Sequence, residues 1–362
     1  MSRNNNLLSR YDTKETFRCD KTDGGKAPRI PLNDGNTIPA IGLGTFLGFD
    51  EVSYFNRQKK VEPRETELPV TWALNAGYRL IDTASTYGNE DQIGVAIQKS
   101  DVPREDIFIV TKLSLHEQRN VVSSLKKSLD RLNTSYVDLF LIHFPIAFKP
   151  NSEEFDVIDY LDTWKGMEEA KRQGLAKSIG ISNFNISQIE RLLDNSEIKP
   201  AVLQVEGALS DFQARRLHLT DYCVNLNLAQ TKLLGFAKDN DITVMAYSPF
   251  GSLFTNSSEP PPPRVNDRTL RSLGEKYGKT VPQIVLKYLV QRGVVPIPKS
   301  THKERIETNV DIFDFELSPD EMDTLSKFNK DYRLVWPSFW QDHPYYPFEK
   351  KVKPDPNLFH AG

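Results

Sequence analysis

The chain alternates between two periodicities. Eight short runs rich in β-branched and aliphatic residues each precede a segment whose apolar residues recur at helical spacing. The runs are IGLGT (41–45), YRLIDT (78–83), DIFIVTK (106–112), VDLFLIH (137–143), AKSIGISN (176–183), AVLQVE (201–206), ITVMAYS (242–248) and VVPIPKS (294–300). The helical segments include 65–76, 90–99, 120–132, 160–173, 187–193, 229–240, 281–292 and 303–310. In the fourth, Tyr160, Trp164, Met167 and Lys171 share a face, and Gly174 is the stop signal. Strands that are apolar along their whole length are those covered on both faces. The pattern predicts an α/β chain folded as a parallel (β/α)8 TIM barrel, with large loops at its C-terminal face. A doubly wound sheet fits less well, because no GxGxxG turn follows the first strand.

The barrel domain is expected over 28–350, with a disordered tail over 1–27 and a C-terminal tail over 351–362. An N-terminal β-hairpin is expected over 29–38, where Asp34-Gly35 supplies the backbone freedom of a tight turn. Residues 47–62 and 207–228 are insertions longer than ordinary connections, and such loops commonly bind something. The stretch 253–266, with four prolines at 260–263, reads as a stiff extended loop. The tail 332–349 is dense in aromatic rings.

At 362 residues, with 38% hydrophobic and 26% charged residues, the chain has ample material for one large core. A formal net charge of -3 and a pI near 6.1 give no global attraction to nucleic acid or to an anionic membrane. Two cysteines, Cys19 and Cys223, without a CxxC pair point away from a disulfide framework or zinc site and towards a reducing compartment. No apolar stretch has the length of a signal core or a bilayer span, so a cytoplasmic protein is expected. Without a heptad seam or a large apolar stripe, a monomer is the expected state.

In a barrel of this kind the reactive groups sit at the carboxyl ends of the strands. The second strand ends in Asp82, with Tyr87 in the loop beyond it; the third ends in Lys112 and the fourth in His143. The fifth ends in Ser182-Asn183, the sixth carries Gln204, the seventh ends in Tyr247-Ser248 and the eighth in Lys299-Ser300. Singly, these are ordinary. A lysine after an apolar strand usually snorkels, a histidine there is usually a hydrogen-bonded core residue, and Asp82 or Asn183 alone would more often cap a turn or helix. Seven consecutive strands ending in convergent polar groups are not required by packing, whereas a shared pocket requires them. A buried lysine beside an aspartate stays charged, and an ammonium near a tyrosine favours its phenolate, making the phenol a better proton donor to a carbonyl oxygen. A neutral histidine can hydrogen-bond that same oxygen. No nucleophilic serine or cysteine motif and no metal-ligand spacing competes, so the missing hydride donor has to be a cofactor.

The segments LNDGNTIPAIGLGTF (32–46), GYRLIDTASTYGNE (77–90), IFIVTKL (107–113), YVDLFLIHFP (136–145), IGISNF (179–184), MAYSPFGS (245–252) and IPKSTHKERIETN (297–309) resemble the aldo-keto reductases. The run HFPIAFK and the PPPPR loop are similar to insect members, some of which reduce steroid ketones such as 3-dehydroecdysone. The resemblance implies an NADPH-dependent oxidoreductase that reduces aldehydes and ketones, with Tyr87 as general acid, Lys112 lowering its pKa, Asp82 pairing with the lysine and His143 orienting the carbonyl. It implies that Ser182, Asn183 and Gln204 hold the nicotinamide carboxamide, and that Tyr247 stacks on the ring. It further implies that Ser248, Gly251 and Ser252 meet the pyrophosphate, that Lys299, Ser300 and Arg305 bind the 2′-phosphate, and that Asn309 touches the adenine. Phe46 and Phe144 stand where the family often has Trp, Thr308 where many members have Glu, and Leu203 where Asn is usual. The insertion 207–228 replaces a short His-Pro link beside Gln204. Phe46, Phe144, Trp336 and Trp340 are the expected substrate walls, a flat aromatic set that suits a small-molecule carbonyl with an apolar body. Two other functions use the same residues: an NADPH-binding barrel with a regulatory or structural role and little turnover, and a barrel in which Lys112 forms a Schiff base.

Overall fold

Eight parallel strands close on themselves, and the seam is visible in named hydrogen bonds. The computed structural model describes residues 24–48, 61–205, 229–255, 262–330, 340–348 and 350. Its strands are β1 (Arg29–Pro31), β2 (Thr37–Pro39), β3 (Leu43–Gly44), β4 (Leu80–Asp82), β5 (Phe108–Leu113), β6 (Val137–Ile142), β7 (Ala147–Phe148), β8 (Phe155–Asp156), β9 (Ala176–Ser182), β10 (Val202–Val205), β11 (Thr243–Tyr247) and β12 (Val294–Ile297). Its helices are α1 (Glu67–Asn75), α2 (Glu90–Gln98), α3 (Val121–Leu132), α4 (Tyr160–Arg172), α5 (Ile186–Asn195), α6 (Thr231–Asp239), α7 (Arg268–Tyr277), α8 (Val281–Gln291), α9 (Lys303–Asn309) and α10 (Pro319–Ser326). The barrel runs β3-β4-β5-β6-β9-β10-β11-β12. Gly44 bridges Lys299 across the seam, and the amides of Gly42 and Gly44 donate to the carbonyls of Pro296 and Pro298, both at 3.1 Å.

Strand alternation divides the core in two. Leu80, Phe108, Val110, Leu139, Leu141 and Met245 belong to one buried cluster, while their strand neighbours Ile81, Ile109, Phe140, Ile142, Val244 and Ala246 belong to another that includes the helices. Successive side chains on a strand point to opposite faces, so the first cluster fills the barrel and the second seals helices to its outside. The hairpin β1–β2 caps the inner cluster with Leu32 and Ile38, in the register Ile30 with Ile38. Its turn is tied to α4 by Lys171, whose Nζ lies 2.6 Å from Asp34 Oδ2. The same helix buries Tyr160, Trp164 and Met167, as their spacing predicts.

The tail expected over 1–27 is anchored before its end: Ala27 is buried, and the Lys26 amide donates to Gly77 O at 3.0 Å. Most of the insertion 47–62, all of 207–228 and part of the proline stretch lie outside the described residues. Three elements go beyond the sequence reading. Helix α7 gives the β11–β12 connection two helices, and Asp267 caps it by accepting from the amides of Thr269 and Leu270. Helix α10 starts in a Ser318–Glu321 capping box. The hairpin β7–β8, with Ala147 opposite Asp156, follows the fourth barrel strand. The eighth strand ends at Ile297, leaving Lys299 with the seam bridge alone as strand-like pairing.

One glycine sets how closely β9 and β10 approach. A Cβ on Gly180 would lie 2.4 Å from Val202 O and 2.8 Å from Leu141 Cδ2, and the first of these is backbone in a paired strand. Gly180→Ala is expected to lower the unfolding free energy by about 3 kcal/mol, at the upper end of overpacking costs. A urea titration with an unchanged midpoint would contradict this.

Candidate active site

The deepest group of the site is Lys112, on β5. Its side chain is 0% exposed, and Nζ lies 2.7 Å from Asp82 Oδ1, 2.8 Å from Thr83 O and 3.4 Å from Tyr87 Oη. An ammonium has three protons and finds three acceptors here, so the charged form is the one whose hydrogen bonds close. Burial pushes the Lys112 ammonium down and the Asp82 carboxyl up from their ordinary values, and their mutual attraction opposes both shifts. The second carboxylate oxygen of Asp82 accepts from Gln204 Nε2 at 2.6 Å. Lys112, read alone as a snorkelling type, is the opposite of exposed.

Local structure holds this pair from several elements. Asp82 is the last residue of β4, and its carbonyl accepts from both the amide and the hydroxyl of Thr45, past β3, at 3.1 and 2.9 Å. Asn89, fully buried, donates to Thr45 O at 2.9 Å and accepts from the Thr83 hydroxyl at 3.0 Å. Glu90 accepts from Thr111 Oγ1 at 2.6 Å and Arg131 Nε at 2.7 Å, which locks β5 against α2 and α3. Tyr87 ends a short 3₁₀ turn, Ser85–Tyr87, and Gly88 behind it takes the left-handed φ of 66° that reverses the chain. Thr45, Thr83, Asn89 and Glu90 were not singled out in the sequence; for the last three the run TASTYGNE around Tyr87 was the available signal, while Thr45 closes the first β-rich run.

His143 follows β6, half-buried beside Tyr87, with ring centroids 5.8 Å apart and edge-on. Burial and the nearby Lys112 charge hold its imidazole well below the ordinary range, so the ring is neutral at pH 7. Its carbonyl accepts from Asn183 Nδ2 at 2.9 Å, and Asn183 Oδ1 accepts from the Tyr247 hydroxyl at 3.1 Å. Ser182 Oγ accepts from Asn183 Nδ2 at 3.1 Å. Asn183 does not cap the next helix: Asn185 does, in a capping box with Gln188. Asp82, Tyr87, Lys112, His143, Ser182, Asn183, Gln204 and Tyr247 thus form one connected cluster at the carboxyl ends of β4, β5, β6, β9, β10 and β11.

The remaining positions lie around it. Ser248 and Gly251 sit in the turn after β11 with φ of 48° and 52°, and Ser252 is buried within reach of Arg264, 3.4 Å away. Lys299 is exposed beyond β12, and buried Ser300 accepts from the His302 amide at 3.1 Å. Arg305 is exposed on α9, and Asn309 is buried at its last position. The Phe46 ring lies 4.9 Å from Tyr87, Phe144 5.4 Å from His143, and Trp340 5.3 Å from Phe144, so three of the four expected wall residues meet the site. Trp336 lies outside the described residues. The aromatic tail beyond Trp340 stays with the site: Tyr346 and Phe348 pack in one cluster with Phe144 and Trp340, and main-chain contacts hold them there. Gln188 donates to Tyr345 O and Asn185 to Pro347 O, which fastens that part to α5. Buried His343 clasps it to the β7–β8 hairpin, with Nδ1 accepting from the Tyr345 amide at 3.1 Å and Nε2 facing Asp156 O at 3.2 Å.

A parallel eight-stranded barrel with this strand-end cluster defines the class, and comparison with known proteins names it. The sequence model of the aldo/keto reductase family matches residues 40–330, and the chain belongs to that family. It is 45% identical to aldo-keto reductase AKR2E4 of Bombyx mori, over 89% of this chain and 99% of that protein. It is 39% identical to aldo-keto reductase family 1 member D1 of Mus musculus, over 88% and 96%. The crystal structure of the Bombyx mori AKR2E4 in complex with NADP superimposes with a TM-score of 0.77, covering 89% of this chain and 99% of that one. The silkworm AKR2E5 superimposes with a TM-score of 0.80 at 39% identity, over 91% and 96%.

His143 and His343 make stability depend on pH. Both are pushed below the ordinary imidazole value by burial, whereas in the unfolded chain each titrates near about 6.5. The unfolded state therefore binds protons that the folded state refuses. Stability is full above about pH 6.5 and falls below it, by up to about 1.4 kcal/mol per pH unit per ring. Urea unfolding compared at about pH 7.5 and about pH 5.5 should show the loss, and His343→Gln should flatten it. An equal slope in that variant would remove His343 from the account.

Proposed function

We propose that the chain is an NADPH-dependent carbonyl reductase that converts aldehydes and hydrophobic ketones to alcohols, with Tyr87 as general acid. The observation that carries this reading is the buried Lys112 ammonium, 2.7 Å from Asp82 and 3.4 Å from the Tyr87 hydroxyl. A fixed positive charge beside the phenol stabilises the phenolate that remains once the proton has passed to the carbonyl oxygen. His143, neutral at pH 7, donates an N–H to that oxygen and orients it. Phe46, Phe144 and Trp340 exclude water and offer flat apolar walls, which suits aromatic aldehydes and ring ketones over strongly charged substrates. Lys112 serves poorly as a Schiff-base amine, because all three of its acceptors favour the protonated form.

The side chains at the strand ends suit NADPH, which supplies a hydride when bound. Ser182, Asn183 and Gln204 are buried hydroxyl and amide groups fit for a carboxamide, and the half-buried Tyr247 ring offers a face for the nicotinamide. Ser248, Gly251 and Ser252 provide a turn of main-chain amides and hydroxyls for the pyrophosphate. Lys299 and Arg305 with Ser300 suit a 2′-phosphate, which NADH lacks, and Asn309 suits the adenine. The Bombyx mori relative, crystallised in complex with NADP, supports the choice of cofactor.

A panel of aldehydes and ketones assayed with NADPH and NADH tests the proposal. Tyr87→Phe is expected to lower kcat by roughly 10²–10⁴-fold, while NADPH Kd, read by protein fluorescence, stays within about twofold. Wild-type protein that binds NADPH yet turns over no aromatic aldehyde would instead favour a binding role. Lys299→Met should raise the NADPH Kd about tenfold and leave that of NADH unchanged, as loss of one charge-assisted phosphate contact requires.

A further inference from the structure

The 3₁₀ turn Ser85–Tyr87 touches the site at each of its three residues. The Ser85 hydroxyl donates to Lys112 O at 3.0 Å, the Tyr87 hydroxyl lies 3.4 Å from Lys112 Nζ, and Thr86 Oγ1 lies 3.5 Å from His143 Nδ1. The mechanism uses the tyrosine and leaves the threonine unexplained. A neutral imidazole carries one proton, on one of two nitrogens, and its other nitrogen can accept. His143 can donate to a carbonyl oxygen through Nε2 only when Nδ1 is the accepting nitrogen.

Among the described residues, the other contacts of His143 do not discriminate between its nitrogens. Asn183 holds its carbonyl, Phe144 stacks on its ring and Tyr87 meets it edge-on. The Thr86 hydroxyl is the contact that addresses one nitrogen by name. Its place is narrow: the Tyr87 amide donates to Ala84 O at 3.0 Å to close the turn, and a β-branched side chain has few rotamers. A separation of 3.5 Å is long for such a bond, and hydrogen bonds of this kind tighten once substrate is in place.

We propose that Thr86 is a positioning residue: its hydroxyl donates to His143 Nδ1 and so keeps the imidazole proton on Nε2, the nitrogen left for the substrate carbonyl. This rests on the carbonyl-reductase reading for its purpose, but the tautomer itself is measurable without any reaction. The experiment is ¹⁵N NMR of histidine-labelled, substrate-free protein at neutral pH, with His143 assigned among the six histidines by comparison with His143→Gln. The wild type and Thr86→Ser are expected to show a protonated Nε2 and an accepting Nδ1. Thr86→Val, equal in shape but unable to donate, is expected to move the signals towards the other tautomer. Its kcat/KM should fall about tenfold, mostly in kcat, with NADPH Kd unchanged, which is the scale of one lost hydrogen bond. Thr86→Ser should recover most of that loss. An unchanged ¹⁵N pattern in Thr86→Val overturns the proposal whatever the rate, as does a wild-type Nδ1–H. A Thr86-dependent tautomer in a wild type without carbonyl turnover supports the assignment and overturns the activity reading instead.

Discussion

The organisation of the site depends on one buried ion pair. Removing a lysine and an aspartate from water costs several kcal/mol for each ion, and their attraction offsets this only when geometry is close and the remaining lone pairs and protons are satisfied. Lys112 and Asp82 meet that condition: each proton of the ammonium faces an acceptor, and the far carboxylate oxygen takes the Gln204 amide. The requirement for saturation explains why so many neighbours are polar and buried. Thr45, Thr83, Asn89 and Glu90 are buried, and each holds a strand end where the pair needs it.

The barrel makes this arrangement possible. A parallel strand pair places its carboxyl ends side by side, and closure brings β4, β5, β6, β9, β10 and β11 round one mouth. Rigidity comes from the filled interior, where Leu80, Phe108, Leu139 and Met245 pack below the site with the hairpin beneath them. The polar cluster thus rests on a packed core, while the aromatic rings beside it come from connecting segments and the tail. Phe46, Phe144 and Trp340 come from three separate segments and join in a chain of ring contacts through Tyr87 and His143. Those three residues lie outside the hydrogen bonds that saturate the ion pair.

Much of this was legible before any coordinates. Near-continuous apolar runs marked the eight strands to within a few residues, because burial on both faces leaves little freedom of composition. The ends of those runs named the cluster, since a barrel converts strand order into a ring of neighbours. Elements defined by few residues were harder. The β7–β8 hairpin has two residues per strand, and α7 follows a proline stretch that hid its Leu270, Leu273 and Tyr277 stripe. The first strand was read as five residues where two pair as strand, because ladder length depends on partners far away in the chain.

Taken alone, the sequence determined the barrel, its strand ends and the identity of the polar groups there, because periodicity and residue type are local properties. Tertiary structure decided what those groups are to one another. That Lys112 is saturated rather than snorkelling, that Gln204 reaches Asp82 from 122 positions away, and that Thr86 addresses one nitrogen of His143 are facts of distance between segments. So is the seat of the aromatic tail, whose Tyr346 and Phe348 join Trp340 and Phe144 in one cluster while its main chain is fastened to α5. Hydrogen-bond geometry and desolvation act through space, and no spacing along the chain encodes them.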